Sequence, residues 1–361
     1  MKLADIGRLR LRNQRVAGGK LRSAVDVVSW LGAVQSQEYP YAKWSLGMRA
    51  TGLSDASVDG SLRDGEIIRT HIMRPTWHFV APADLRWMMA LTGPRVARTL
   101  RSTADQRIPE ESVIAKAFEA IVSELEGGRR LSRAAIVELL TERRIIGAKV
   151  WAIPIFIRAE LELLLCSGGL DGKQQTYALV DERVAPAGGP FDRDWALAEL
   201  SRRYFTSHGP ATVHDFSWWS GLTVTDARRG IDANGSALHE VQGDDGLKYW
   251  WAGELPGADE RSPTAHFMQG YDEYIVAYRP PRDAINLARY LSPNALSAPP
   301  YLHAIVLDSQ GVGFWRRLAE RDGFAVDTRF ARPLTAAETE AVSAALERYR
   351  TFLGQEIRLR P

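Results

Sequence analysis

The sequence predicts an α+β, mostly α chain: tandem winged-helix (helix-turn-helix) units followed by a β-rich module. Three features predict it. A run of helix, shorter helix, third helix and two strands comes round three times, with a turn or capping residue at each joint. In the last run, two capped helices meet at a short turn holding Gly221, a helix-turn-helix signature. After Gly257 strand-like segments take over, and Thr335 caps one closing helix. The expected units are residues 1–105, 106–190, 191–257 and 258–361.

In the first unit Ser23 caps a helix with apolar residues at Val25, Val28, Leu31 and Val34, three apart as one helix face requires. Pro40 forbids its continuation. A second helix fits Ser54 to Arg63 and ends at Gly65. IIRTHIM and TWHFV then read as two strands around Arg74-Pro75, and Pro82-Ala83-Asp84 opens a long amphipathic helix. In the second unit a helix runs from Pro109 to Leu125 and breaks at Gly127-Gly128. Ser132 caps RAAIVELL, IFIRAELELLL forms a helix ended by Gly168-Gly169, and KQQTYALV is strand-like. In the third, Asp194 to Ser207 is helical and His208-Gly209-Pro210 breaks it. Thr212 caps VHDFSWWSG, and Thr223, with Asp226 three on, starts TDARRGID. LHEVQGDDGLKYWWA reads as a hairpin with Asp-Asp-Gly at its tip. Beyond Gly257, AHFMQGYDEYIVAY, LHAIVLDSQGVGFWRRL and GFAVDTRF are strand-rich, and AAETEAVSAALERYRTFLG is the closing helix.

The chain has 361 residues, 45% hydrophobic and 25% charged, the balance of a globular protein with more than one core. Cys166 is the single cysteine, so no intrachain disulfide forms and a reducing, cytoplasmic setting is expected. The N-terminus lacks the apolar region of a secretory signal, and no apolar run reaches the roughly 18 residues of a membrane span. Residues 1–110 hold 17 Lys and Arg against 10 Asp and Glu, an excess of +7 in a chain of net +2. Arg8, Arg10, Arg12, Arg15, Lys20 and Arg22 crowd its start. Such asymmetry points to a polyanion; a solvated basic surface is the plainer alternative. Phosphate-cradling glycine loops, zinc-spaced Cys/His sets and a Gly-x-Ser-x-Gly elbow are absent from the sequence. No metal or other cofactor is expected, so any catalysis falls to ordinary polar side chains.

The segment VQSQEYP carries Gln35 and Gln37. On a helix they would point about 200° apart, whereas in an extended or turn segment residues two apart share a side. If the helix ends near Ser36, unwound by Pro40, the two amides converge; otherwise they are surface glutamines at a helix end. In TWHFV, Thr76 and His78 face one way and Trp77 and Phe79 the other. The first pair is expected toward solvent or a cleft and the second toward the core. In YDEY, Asp272 and Glu273 either tune an acid or orient a partner arginine, or form a salt bridge between domains. Trp218-Trp219 and Trp250-Trp251 either stack on bases or place one of each pair in the core and the other at a domain contact.

VQSQEYPYAKWSLGMR, IMRPTWHFVAPADLRWMMALTGPRV, HGPATVHDFSWWSGLTVTDAR, YDEYIVAYRPPRD and GFWRRL…ARPLTAAE, in this order along the chain, together resemble the AlkZ-like winged-helix DNA glycosylases. The resemblance implies three tandem winged-helix domains and a C-terminal β-barrel, arranged as a C-shaped clamp on duplex DNA. It implies removal of alkylated purines, in some members from interstrand crosslinks or bulky adducts. The family's catalytic signature, Gln, a hydrophobic residue, then Gln or Asp, maps onto Gln35, Ser36 and Gln37. Ser36 departs from it, which puts the anchoring of the loop in question. The Thr-x-His of the family's wing maps onto Thr76 and His78. A purine alkylated at N7 or N3 is cationic and leaves readily, so charge develops on the sugar. An amide carbonyl is no general base, but its dipole can face that charge and hold a water. Arg8, Arg10, Arg12, Arg15, Lys20 and Arg74 are expected on the DNA backbone. The expected partner is double-stranded DNA with alkylated bases, met in the nucleoid by a monomer with no obligate protein partner. A non-catalytic winged-helix regulator or DNA clamp is the alternative.

Overall fold

In the computed structural model, residues 1–103, 109–147, 152–255, 257, 262–290, 303–321 and 323–360 are described. The expected borders at 105/106 and at 258 lie outside them. The basic N-terminal stretch is a helix, α1 (Leu3–Asn13), not anticipated from the sequence. Ser23 does cap α2 (Ala24–Leu31), accepting from the Asp26 N–H at 3.1 Å. The expected helix through Val34 stops at Leu31, however, because Gly32 turns the chain at φ 81°. Ala33–Gln35 then forms a strand, β1, buried at all three positions. Pro40, read as a barrier, lies in the first turn of α3 (Tyr39–Gly47), where its missing N–H has no partner to lose. Then come α4 (Asp55–Asp64), with Ser54 in a capping box, β2 (Ile68–His71), β3 (Trp77–Val80) and α5 (Pro82–Thr103). The sheet order is β1-β3-β2, antiparallel throughout.

The same order recurs. After α6 (Glu111–Leu125) come β4 (Leu131–Ser132), α7 (Arg133–Glu142), α8 (Ile153–Leu161), β5 (Leu165–Asp171) and β6 (Gln174–Leu179), in a sheet ordered β4-β6-β5. Here IFIRAELELLL splits: the helix ends at Leu161, and Gly168-Gly169 lies in β5 at a bulge rather than ending a helix. Isolated glycines in a strand often mark such bulges. The third run is α9 (Arg193–Ser207), α10 (Val213–Ser220), α11 (Val224–Asn234), β7 (Leu238–Gln242) and β8 (Lys248–Ala252). A single bridge, Ala211 to Trp250, stands where the other runs have their first strand.

The C-terminal part corrects two expectations. Of AHFMQGYDEYIVAY only β9 (Ala265–Met268) is a strand, and Glu273–Val276 is a helical turn, α12, capped by Asp272. The sheet is open, not a barrel: β9, β10 (His303–Leu307), β11 (Gln310–Glu320), β12 (Gly323–Phe330) and β13 (Arg358–Arg360) follow one another in order. Among the described residues no pairing joins β9 to β13. The closing helix, Ala336–Leu353, packs on this sheet, and one core joins Leu31 and Trp44 of the first run to Phe267, Trp315 and Tyr349. A second core joins Ile68 and Val80 to Leu200, Tyr204 and Trp219 of the third run. The first run is thus held from both sides, while the second keeps its own core around Ile121, Ile136 and Phe156.

Candidate active site

The Gln35–Gln37 segment leaves β1 beside the β2–β3 turn. Across the ladder Gln35 faces His78 and Val34 faces Phe79. The Ser36 N–H donates to the Trp77 carbonyl at 2.7 Å, and the Ser36 carbonyl accepts from Arg69 Nη2 at 2.9 Å and Nε at 3.2 Å. Backbone contacts therefore anchor the loop that an apolar middle residue was expected to anchor. Gln37 Oε1 accepts from the Trp77 N–H at 3.3 Å, while Gln35 Oε1 accepts from Arg74 Nη2 at 2.9 Å. Both amides thus lie along the Arg74–His78 segment, each carbonyl oxygen with a second lone pair to offer.

Gln35 is fixed a second time. Its backbone N–H donates to Glu273 Oε1 at 2.7 Å, and Glu273 Oε2 accepts from the Trp219 indole at 2.9 Å. Asp272, beside it, instead forms a buried ion pair with Arg49 at 2.7 Å. Of the adjacent tryptophans, Trp219 is in the core and Trp218 is 43% exposed.

His78 is not turned to solvent. It is wholly buried, on the central strand of its sheet. Its Nδ1 lies 2.9 Å from the Thr76 carbonyl. A carbonyl only accepts, so Nδ1 carries the hydrogen and the Nε2 lone pair faces Arg74 Nη2, 3.5 Å away. Burial and the Arg74 charge hold the imidazole well below its usual pKa, so it is neutral. Thr76 Oγ1 and Ser36 Oγ are buried without hydrogen-bond partners. On the other side of the β2–β3 hairpin, Trp77 is half-buried beneath Arg69, whose guanidinium lies 4.4 Å from the ring. Its indole donates to Glu160 Oε1 at 3.3 Å, and Glu160 Oε2 is bound by the His71 N–H at 2.7 Å. A cavity of about 410 Å³ opens there between the first and second runs.

The N-terminal basic residues do not gather at this site. Arg8 is exposed and paired with Asp5 at 2.7 Å. Arg10 is 3% exposed: it donates to the Pro210 carbonyl at 2.8 Å, pairs with Asp215 at 3.3 Å and lies over Tyr278. It fastens α1 to the third run, so the expected backbone contact is withdrawn for it. Arg12 and Arg15 are half-buried, Arg15 lying over the Trp30 ring. The Lys20 ammonium donates to the carbonyls of Arg15, Val16 and Met48. Arg74, by contrast, touches Gln35 directly.

Sequence reasoning missed Arg69 and reached Glu273 only as half of a carboxylate pair. Both act on backbone groups far away in the chain, which leave no local signature. Among the described residues no cluster of His, Cys, Asp and Glu fits a metal ion, and no helix is long and apolar enough to cross a membrane. What the site offers is fixed amide dipoles, a neutral imidazole and an arginine. Amide dipoles of this kind can orient a water and face a developing positive charge, without a strong base.

The chain is similar along its whole length to proteins of one kind. Residues 28–352 match the family model described as DNA glycosylase AlkZ-like. A relative from Streptomyces sahachiroi, named an interstrand DNA cross-link repair glycosylase, is 24% identical over 362 residues, covering 93% of this chain and 94% of its own. The solved structure of Streptomyces sahachiroi DNA glycosylase AlkZ superimposes with a TM-score of 0.79 at 19% identity, over 100% of this chain and 99% of that one. The family model spans most of the chain, the fold agrees, and the chain belongs to the AlkZ-like family of DNA glycosylases.

Proposed function

We propose that this glycosylase hydrolyses the N-glycosidic bond of purines alkylated at N7 or N3 in duplex DNA, as a monofunctional enzyme and a monomer. Its range is proposed to include bulky and crosslinked adducts, the substrate class that the relative's name carries. The three repeated runs act as winged-helix units, with borders near residues 105, 190 and 257, and position the duplex over the β2–β3 turn. Gln35 and Gln37 set their carbonyl dipoles toward the sugar and hold the attacking water. Thr76 and His78 support them, and Arg74 contacts the DNA backbone. Arg8, Arg12, Arg15 and Lys20 add to the basic surface.

The double fixing of Gln35 carries this reading. A group held at its backbone by Glu273 and at its side chain by Arg74 does not need to reorganise as charge develops, and that is where electrostatic catalysis gains most. A cationic leaving base needs no strong acid, which suits a site whose histidine is neutral. The test is incubation of the protein with duplex carrying 7-methylguanine, followed by chromatography of released base. Free 7-methylguanine with an abasic site left in the strand is expected. Tight binding without release from any alkylated duplex would favour a non-catalytic DNA clamp.

A further inference from the structure

Arg74 and Arg282 reach the site from distant parts of the chain and end on the same turn. Arg74 Nη1 donates to the Val276 carbonyl at 3.4 Å, and Arg282 Nε donates to the Ile275 carbonyl at 2.6 Å. These are consecutive carbonyls at the end of α12. Arg282 holds a left-handed backbone, φ 62°, an uncommon conformation for a non-glycine residue. Among the described residues neither guanidinium has a carboxylate in ion-pair contact, and Arg74 Nε is buried with no hydrogen-bond partner. The nearby carboxylates are already engaged. Glu273 binds Gln35 and Trp219, and Asp215 binds Arg10 and the N–H groups of Thr212 and Arg279. Burial and the neighbouring Arg74 bring the Arg282 guanidinium down to about 10.

Two like charges kept together, neither in direct contact with a carboxylate, are costly, and an anion relieves that cost. Paired planar forks suit a tetrahedral phosphate in particular. The exposed Trp218 borders the place, its indole donating to the same Val276 carbonyl at 3.0 Å. Taking the strand to be the glycosylase substrate proposed above, we infer that Arg74 and Arg282 form a subsite for one phosphodiester of the strand held against Gln35, with Trp218 at its edge beside a base.

The subsite has a chemical consequence. Arg74 donates to Gln35 Oε1, so its positive charge stands beside the sugar that must itself become positive. Two like charges that close together repel strongly in a site shielded from water. A phosphodiester on Arg74 turns the cation into a neutral pair and leaves the glutamine dipole to face the sugar. Binding the correct strand therefore completes the electrostatics of the site.

The experiment uses a duplex with one 2′-fluorinated 7-methyldeoxyguanosine, whose glycosidic bond resists cleavage. Single methylphosphonates, which are neutral, replace each phosphate around the lesion in turn. Wild type should lose about 10-fold in affinity at one position, the size of a charge-assisted contact. Arg282→Gln and Arg74→Gln should be insensitive there, and each should flatten the slope of log K against log salt by about 0.9. Arg282→Lys, which keeps charge but loses the fork, should fall between. Melting curves check that each variant is folded, and the scan on wild type needs no variant. Absence of any sensitive phosphate beside the lesion, or an unchanged slope in Arg282→Gln, overturns the subsite. Release of natural 7-methylguanine by wild type is measured alongside. Release without a sensitive phosphate defeats the subsite alone. No release defeats the glycosylase chemistry, while the salt slope of Arg282→Gln on plain duplex still decides the phosphate contact.

Discussion

Gln35 and His78 are paired across the β1–β3 ladder, and Arg74 stands between their side chains, 2.9 Å from Gln35 Oε1 and 3.5 Å from His78 Nε2. The neutral imidazole is an acceptor that helps aim the guanidinium at the glutamine. His78→Ala removes it, so base release should fall by about 10-fold, the worth of one hydrogen bond to a charged group, with duplex binding little changed. Wild-type release in that variant would show that Arg74 needs no aiming.

Glu273 is the second anchor of Gln35. In Glu273→Gln one carbonyl oxygen replaces the two carboxylate oxygens that bind the Gln35 N–H and the Trp219 indole. One buried N–H is then left unsatisfied, at about 1–3 kcal/mol. The variant should melt earlier and release base more slowly at saturating DNA. Unchanged melting would mean that Glu273 is not the anchor.

Arg10 should behave as a residue of the interior. Arg10→Ala leaves Asp215 buried with its charge partner gone, which destabilises by about 3–5 kcal/mol. The salt dependence of DNA binding should stay as in wild type. A flattened salt slope in a fully stable Arg10→Ala protein would put this arginine on the DNA.

Acid should unfold the protein through its histidines. Burial and neighbouring cations lower His266 to about 3 and His303 to about 4, and burial also lowers His78 and His208. A histidine whose folded pKa lies below its unfolded value of about 6.5 leaves stability untouched above that value. Below it, the unfolded chain binds a proton that the native state refuses, so stability falls. Between pH 6.5 and 5, His266 and His303 together should cost about 3 kcal/mol. Denaturant titrations at pH 7.5, 6.5, 5.5 and 5 check this; stability constant from pH 7.5 to 5 would show that these rings protonate freely in the fold.

Much of the fold was legible because it is written locally. Ser54, Thr212, Thr223 and Thr335 are hydroxyl caps at helix starts, and each accepts the expected N–H. β1 was hidden because Ala33-Val34 continues the apolar spacing of α2, and only Gly32 signals the turn. A prolonged helix also misplaced the setting of Gln35 and Gln37. Gln35 ends the strand β1, Gln37 lies just beyond it, and the β2–β3 hairpin binds both side chains. The open sheet was not legible, since alternation in a strand does not say whether the last strand returns to the first. Arg10 read as one cation of a basic run, and nothing local marks it as buried against Asp215, which lies in the third run. Arg282 stands in a loop of prolines and charges and acts only through a carbonyl and its neighbours in space.

Single-turnover release of 7-methylguanine by Gln35→Ala and Gln37→Ala tests the amide mechanism most directly. Each variant should bind duplex as wild type does, yet release base on the order of 10²–10³ more slowly. The double variant should be little worse than the poorer single one, because the two amides act as a unit. Wild-type release rates in both single variants would contradict the assignment of this loop as the catalytic one.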